Sequence, residues 1–289
     1  MTAKKPDYDH IYKLVREYYM QQVSLTKELF EHQYNELERI DNLRVSSLYH
    51  LLLSIYLTGS AINLLALNNY LGEVYMLARA LLEKLINYMY LLVCEEHEYK
   101  KYLNYTKQKS YRVQNRSFIA GDHKVELKWA GSVNLDDYSE LKEAVNQFTS
   151  SKGKEVTRWT SLSLGDRLNV IGEKASINIE GLMFSTLGIY DDASEALHGS
   201  LYGATFNYGF FEGKIPSNTK EFAEIYRNKL LTLFFALGTS IASLLEVISG
   251  VYPTDKVKEF AGQSGDNFEA LGEYIDNFIP EGKGDRGIG

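Results

Sequence analysis

Cysteine is almost missing from the chain: of 289 residues, only Cys94 is a cysteine. No internal disulfide framework can form, and a cysteine-rich zinc site is excluded. Proline is scarce, with four in all. Pro6, Pro216, Pro253 and Pro280 all fall in polar gaps and none sits inside an apolar run, as a helical chain requires. The six histidines are scattered, without an H-x-x-x-H or H-E-x-x-H pair. No metal site and no cofactor are therefore expected. A Walker loop, a dinucleotide fingerprint and a Ser-His-Asp order with elbow glycines are also missing. Positive charge is not in excess: the net charge is −7, which argues against a general nucleic-acid coat protein. Met1–Pro6 leads into polar, tyrosine-rich sequence and not into an apolar stretch, so no secretory signal is read. Together with the single cysteine, this predicts a cytoplasmic protein.

What remains is an ordinary globular composition, 45% hydrophobic and 24% charged, with 22 tyrosines. Apolar residues recur at helical spacing from Tyr8 to Asn42, and again over Val45–Leu67, Leu71–Val93 and the more basic Glu95–Arg116. Residues 117–134 read as irregular, with Lys124–Trp129 alternating as a short hairpin arm would. Helical patterns resume at Asp136–Phe148, after the capping-box spacing Ser163–Asp166, at Ile179–Leu197, from Asn218 or Thr219 to Ser249, and at Asp266–Phe278. The expected fold is all-α: one bundle of about seven to nine helices with an irregular or β-hairpin insertion near 117–134. An all-helical domain is expected over 1–253, a short acidic helical tail over 254–281 and a disordered terminus over 282–289. Leu51–Gly72 and Leu230–Leu245 carry no Asp, Glu, Lys or Arg. The first holds several Ser and Asn residues, and the second is shorter than the ~20 residues a span needs. Both are read as central helices, and no membrane association is expected.

Within the apolar Leu71–Val93 helix, Arg79, Glu83 and Asn87 are each four apart, and Tyr90 returns to nearly the same side. The helix ending near Leu197 carries Tyr190, Ser194 and His198 at the same spacing, with Gly199 just beyond. A helix C-terminus favours an imidazolium by up to ~2 kcal/mol, so His198 is placed to act as an acid. If these helices face one another, Arg79, Glu83, Ser194 and His198 form one cluster, supported by Asn87, Tyr90 and Tyr190. Such a cluster suits phosphate chemistry, and it equally suits a buried network that satisfies itself and fixes helix register.

These two motifs resemble those of an uncharacterised family of bacterial all-helical domains: Arg79-x-x-x-Glu83 followed by Asn87-Tyr88, and Ser194-x-x-x-His198-Gly199. The resemblance runs over roughly Tyr8–Gly250 and carries no activity with it. More distantly, an arginine facing a histidine between helices is similar to HEPN-type proteins, which include metal-independent ribonucleases of phage defence. Those carry Arg-x(4–6)-His on one helix. Here no arginine stands four to seven residues before His198, so Arg79 would supply the charge from another helix.

Between Tyr99 and Lys128, eight basic residues stand against two acidic ones, a local charge of +6. Tyrosines interleave with Lys107, Lys109, Arg112 and Arg116, a combination that suits single-stranded RNA and also suits a solvated helix face. Two functions are thus expected from the sequence. One is an RNA-binding or metal-independent RNA-cleaving effector. The other is a protein-interaction or oligomerisation module, with a homodimer as its simplest form. DNA is not an expected partner.

Overall fold

The computed structural model describes residues 8–129, 131, 133–198 and 219–278, with the backbone alone at 115, 198 and 276–278. Two compact units emerge, one made of residues 1–93 and 166–289, the other of residues 94–165. Among the described residues there are nine α-helices and one two-stranded antiparallel hairpin.

In the larger unit, α1 (Tyr8–Asn35) packs against α2 (Leu43–Leu67), α8 (Thr219–Val251) and α9 (Asp255–Phe278). The apolar α3 (Leu71–Val93) lies against α2, α7 (Glu180–His198) and α8. Leu81, Leu82, Leu85 and Ile86 of α3 and Phe234, Leu237, Ile241 and Leu244 of α8 are fully buried, which places these two helices at the centre of the core. Asn42 caps α2 through bonds to the amides of Arg44 and Val45. Asn69 ends it in the left-handed conformation, φ 63°, where its short polar side chain is tolerated. The guanidinium of Arg44 reaches the last carbonyls of α3, those of Leu91 and Leu92.

Buried polar groups are matched across helices. Ser264 on α9 donates to the Gln22 side chain at 2.6 Å, and Gln22 donates back to its carbonyl at 3.2 Å. Ser240 donates to Ser185 at 2.9 Å, joining α8 to α7. Lys84 on α3 donates to Thr58 on α2 at 2.7 Å, and partial burial pulls its pKa below the ordinary lysine value. The acidic C-terminal segment is therefore a full helix from Asp255, built into the core through Val257, Phe260 and Leu271. Residues 282–289 and the glycine-rich stretch 199–213 lie outside the described residues.

α2 and α8 are each long and apolar enough to cross a membrane by length and composition alone. α8 is the core helix the sequence predicted. α2 departs from the central helix the sequence predicted: only 33% of its apolar stretch is buried, because apolar residues stand on its outward side as well. Val45, Leu48, Leu52, Ile55, Gly59, Ile62 and Ala66 face inward and are buried.

The smaller unit holds α4 (Glu96–Arg112), β1 (Asn115–Ala120), β2 (His123–Lys128), α5 (Ser139–Gln147) and the start of α6 (Leu164–Ala175). Phe118 pairs with Val125 and Arg116 with Leu127 across the hairpin, with Gly121 at φ 58° in its turn. α4 packs on α5 over Tyr99, Phe148 and Ala144, all buried.

Candidate functional site

α3 presents its polar stripe to α7. Helical spacing places Arg79 one turn before Glu83, and its Nε donates to the Glu83 carboxylate at 3.3 Å. The other guanidinium nitrogens cross to α7. Nη1 donates to Ser194 Oγ at 2.6 Å and Nη2 to Tyr190 OH at 3.0 Å. The guanidinium carbon also lies 4.2 Å from the centre of the Tyr190 ring. Ser194 passes its own proton to the Tyr190 carbonyl at 2.7 Å, so its oxygen is free to accept from Arg79. This works because α7 buries Ile189 and Ala193 beside the core while Tyr190 and Ser194 stay half-buried at its edge. The Arg79 side chain is 21% exposed and that of Glu83 40%, so the ion pair reaches solvent on its carboxylate side.

A second arginine joins this cluster. Arg167, on α6, donates to the Asn87 side chain one turn beyond Glu83. Burial pulls its pKa below the ordinary arginine value, while Glu83, Tyr190 and Tyr90 favour its charged form. A second guanidinium is thus held one turn of α3 beyond the Arg79–Glu83 pair. Arg167 was not among the residues singled out from sequence. The signal was present: it precedes the buried Ile171 by four residues, on the inner edge of an amphipathic helix opening just after Ser163.

The candidate site residues Arg79, Glu83 and Ser194 are therefore brought together, with Tyr190 joined directly. Asn87 holds Arg167 beside them, and Tyr90 is buried on the same helix. His198 closes α7 one turn beyond Ser194, and its side chain lies outside the described residues. Among the described residues, no group of three or more His, Cys, Asp and Glu is gathered as a metal would need.

On the basic helix α4, three of the four candidate cations have partners within the smaller unit. Lys107 bonds to Glu140 at 2.7 Å and Lys109 to Glu155 at 2.5 Å. Arg112 donates to Gln108 at 2.7 Å and to Thr149 at 2.6 Å. Its tyrosines pack inside the unit: Tyr99 is buried, Tyr102 meets Trp159 edge-on at 5.3 Å, and Tyr105 meets Phe148 at 5.2 Å. Arg116 sits apart from them, exposed on β1.

A half-buried polar cluster between helices marks an otherwise apolar, all-helical unit. The sequence model of a family of unknown function (DUF5677) matches residues 45–215, well over half of the chain, and the chain belongs to that family. The match takes in both the Arg79–Asn87 and the Ser194–His198 motifs, over a narrower span than the resemblance implied. No curated protein and no solved structure was found to match the chain.

Proposed function

We propose that this protein binds single-stranded RNA and takes a backbone phosphate at Arg79 and Arg167. The observation that carries this reading is the Arg79 guanidinium bonded to Glu83 with a second guanidinium, that of Arg167, held by Asn87 one turn further along α3. Guanidinium forks match phosphate oxygens in shape and charge. Tyr190 and Ser194 hold Arg79 in place, so little ordering is needed when a phosphate arrives.

His198 extends binding to cleavage. In that step the ribose 2′-hydroxyl loses its proton to a base and its oxygen bonds to the adjacent phosphorus. The 5′-oxygen leaves with a proton from an acid, giving a 2′,3′-cyclic phosphate, and His198 serves as one of the two proton carriers. In HEPN-type proteins the arginine shares a helix with the histidine. Here the charge on the phosphate comes from Arg79 and Arg167.

A second reading, a non-catalytic interaction module, is favoured by one observation: each of the three Arg79 guanidinium nitrogens already donates within the protein, to Glu83, Ser194 and Tyr190. Fluorescence anisotropy with a labelled single-stranded RNA separates the two. The RNA reading predicts measurable low-salt affinity, falling by ~0.7 log units per log unit of salt for each phosphate neutralised. Arg79→Gln and Arg167→Gln should each weaken it by ~10-fold or more. No affinity in the wild type at low salt makes the cluster structural.

A further inference from the structure

We propose that the outward face of α2 is a docking seam for α2 of a second copy of this chain. The inward face of α2 carries buried residues alternately three and four apart, and the opposite face repeats that pattern. Leu53, Leu57, Ser60, Leu64 and Leu67 are spaced four, three, four and three apart. Leu57 is 55% exposed, Leu64 62% and Leu67 54%. Leu53 and Ser60 are half-exposed. Spacing of this kind is the seam of a coiled coil, and the surface that fills it is another helix with the same repeat. An identical α2 supplies that repeat across a two-fold axis.

Charge points to the same occupant. From residue 45 to residue 72 the chain has no Asp, Glu, Lys or Arg, so two copies of this helix meet without like-charge repulsion. An acidic or basic partner would find nothing on this face to pair with. The helix is about 37 Å long at 1.5 Å per residue, long enough for two heptads of contact. The exposed leucines with their flanking side chains present roughly 400 Å² per copy, the size of the largest apolar patch on a typical monomer, which is often a functional one. Two copies bury roughly 800 Å² in total, below the range of stable interfaces, which corresponds to a weak, reversible dimer and not a permanent one.

The test is light scattering on the full chain across the micromolar range. The predicted mass rises with concentration from 33.0 kDa toward twice that value. Leu57→Ser with Leu64→Ser should weaken the dimer by ~10-fold or more. Leu57→Glu with Leu64→Glu should leave only monomer, with an unchanged helical spectrum. Leu187→Glu, which alters an 80%-exposed leucine on α7, should leave the dimer intact. A wild type that stays monomeric overturns the proposal, and so does a dimer that survives both seam variants. Flotation of the wild type with phosphatidylcholine vesicles, abolished by the glutamate pair, would assign the seam to lipid and overturn it as well.

Discussion

Placing a methyl group on Gly238 should loosen the joint between α1 and α8. A Cβ built there falls 2.5 Å from Cε1 and 2.9 Å from Cδ1 of Tyr18. Carbon atoms rest at ~3.5–4.0 Å, so the ring must retreat by about 1 Å. It has little room, because Tyr18 is 2% exposed and its ring packs against Phe268 with centroids 6.1 Å apart. Overpacking a core in this way costs about 1–3 kcal/mol. Alanine returns about 1 kcal/mol of helix propensity over glycine. The net loss is then about 0–2 kcal/mol, a fall of up to roughly 4 °C in melting temperature for a chain of this size. Gly272→Ala on α9 is the matched comparison, because its Cβ would meet no atom within 4 Å. It should gain up to about 1 kcal/mol. Thermal melts followed by far-ultraviolet circular dichroism read both. A Gly238→Ala variant that gains as much stability as Gly272→Ala would refute the close α1–α8 contact.

Burial raises the pKa of Tyr18, Tyr19, Tyr88 and Tyr226 above the ordinary phenol value. Their contribution is fully present below pH ~10 and is lost as pH climbs toward the folded-state values, so the melting temperature should fall above pH ~10. A flat profile there contradicts the burial. Lys84 runs the other way: its folded pKa is lowered by burial, so the unfolded state holds the extra proton and stability rises with pH toward ~10.5. Lys84→Met should flatten that rise, and an unaltered pH profile would show that Lys84 is not its source. For Lys107 and Glu140, a double-mutant cycle in urea should give a coupling below ~1 kcal/mol, because both side chains are largely exposed. A larger coupling would make this pair a structural anchor of the smaller unit.

Much of the larger unit was legible because its helices carry clean periodicity and end on recognisable residues. The reading of Leu71–Val93 agrees with the structure at both ends, and the Asn68–Asn69 break is a left-handed cap. Boundaries failed where local pattern and tertiary packing part company. The first helix stops at Asn35, and Leu37–Arg39 continue it as a 3-10 turn. The basic helix stops at Arg112 because the next residues enter a hairpin that pairs Gln114 with Trp129. The final helix begins at Asp255, one residue into the expected 254–281 tail and eleven before the Asp266 start that periodicity suggests. There Thr254 accepts from the Val257 amide, and Phe260 enters the core.

The site was legible where both motifs had spacing of four on facing helices. Arg167 escaped because its partners, Asn87, Glu83 and Tyr190, are about 80, 84 and 23 residues away and share no local pattern with it. The basic, tyrosine-rich helix was read for its composition. Its rings and cations are taken up by Phe148, Trp159, Glu140 and Glu155, none of which lies on that helix.

The RNA reading is tested most directly by photocrosslinking. The full chain, mixed with single-stranded RNA at low salt, is irradiated and the modified peptides are identified by mass spectrometry. A phosphate held between Arg79 and Arg167 brings the nucleotide against Tyr190, whose ring already lies beside the Arg79 guanidinium. Crosslinks should therefore map to Tyr190 and vanish in Arg79→Gln. Crosslinks confined to the exposed hairpin residues Phe118 and Trp129, or none at all, would contradict a phosphate site between α3, α6 and α7.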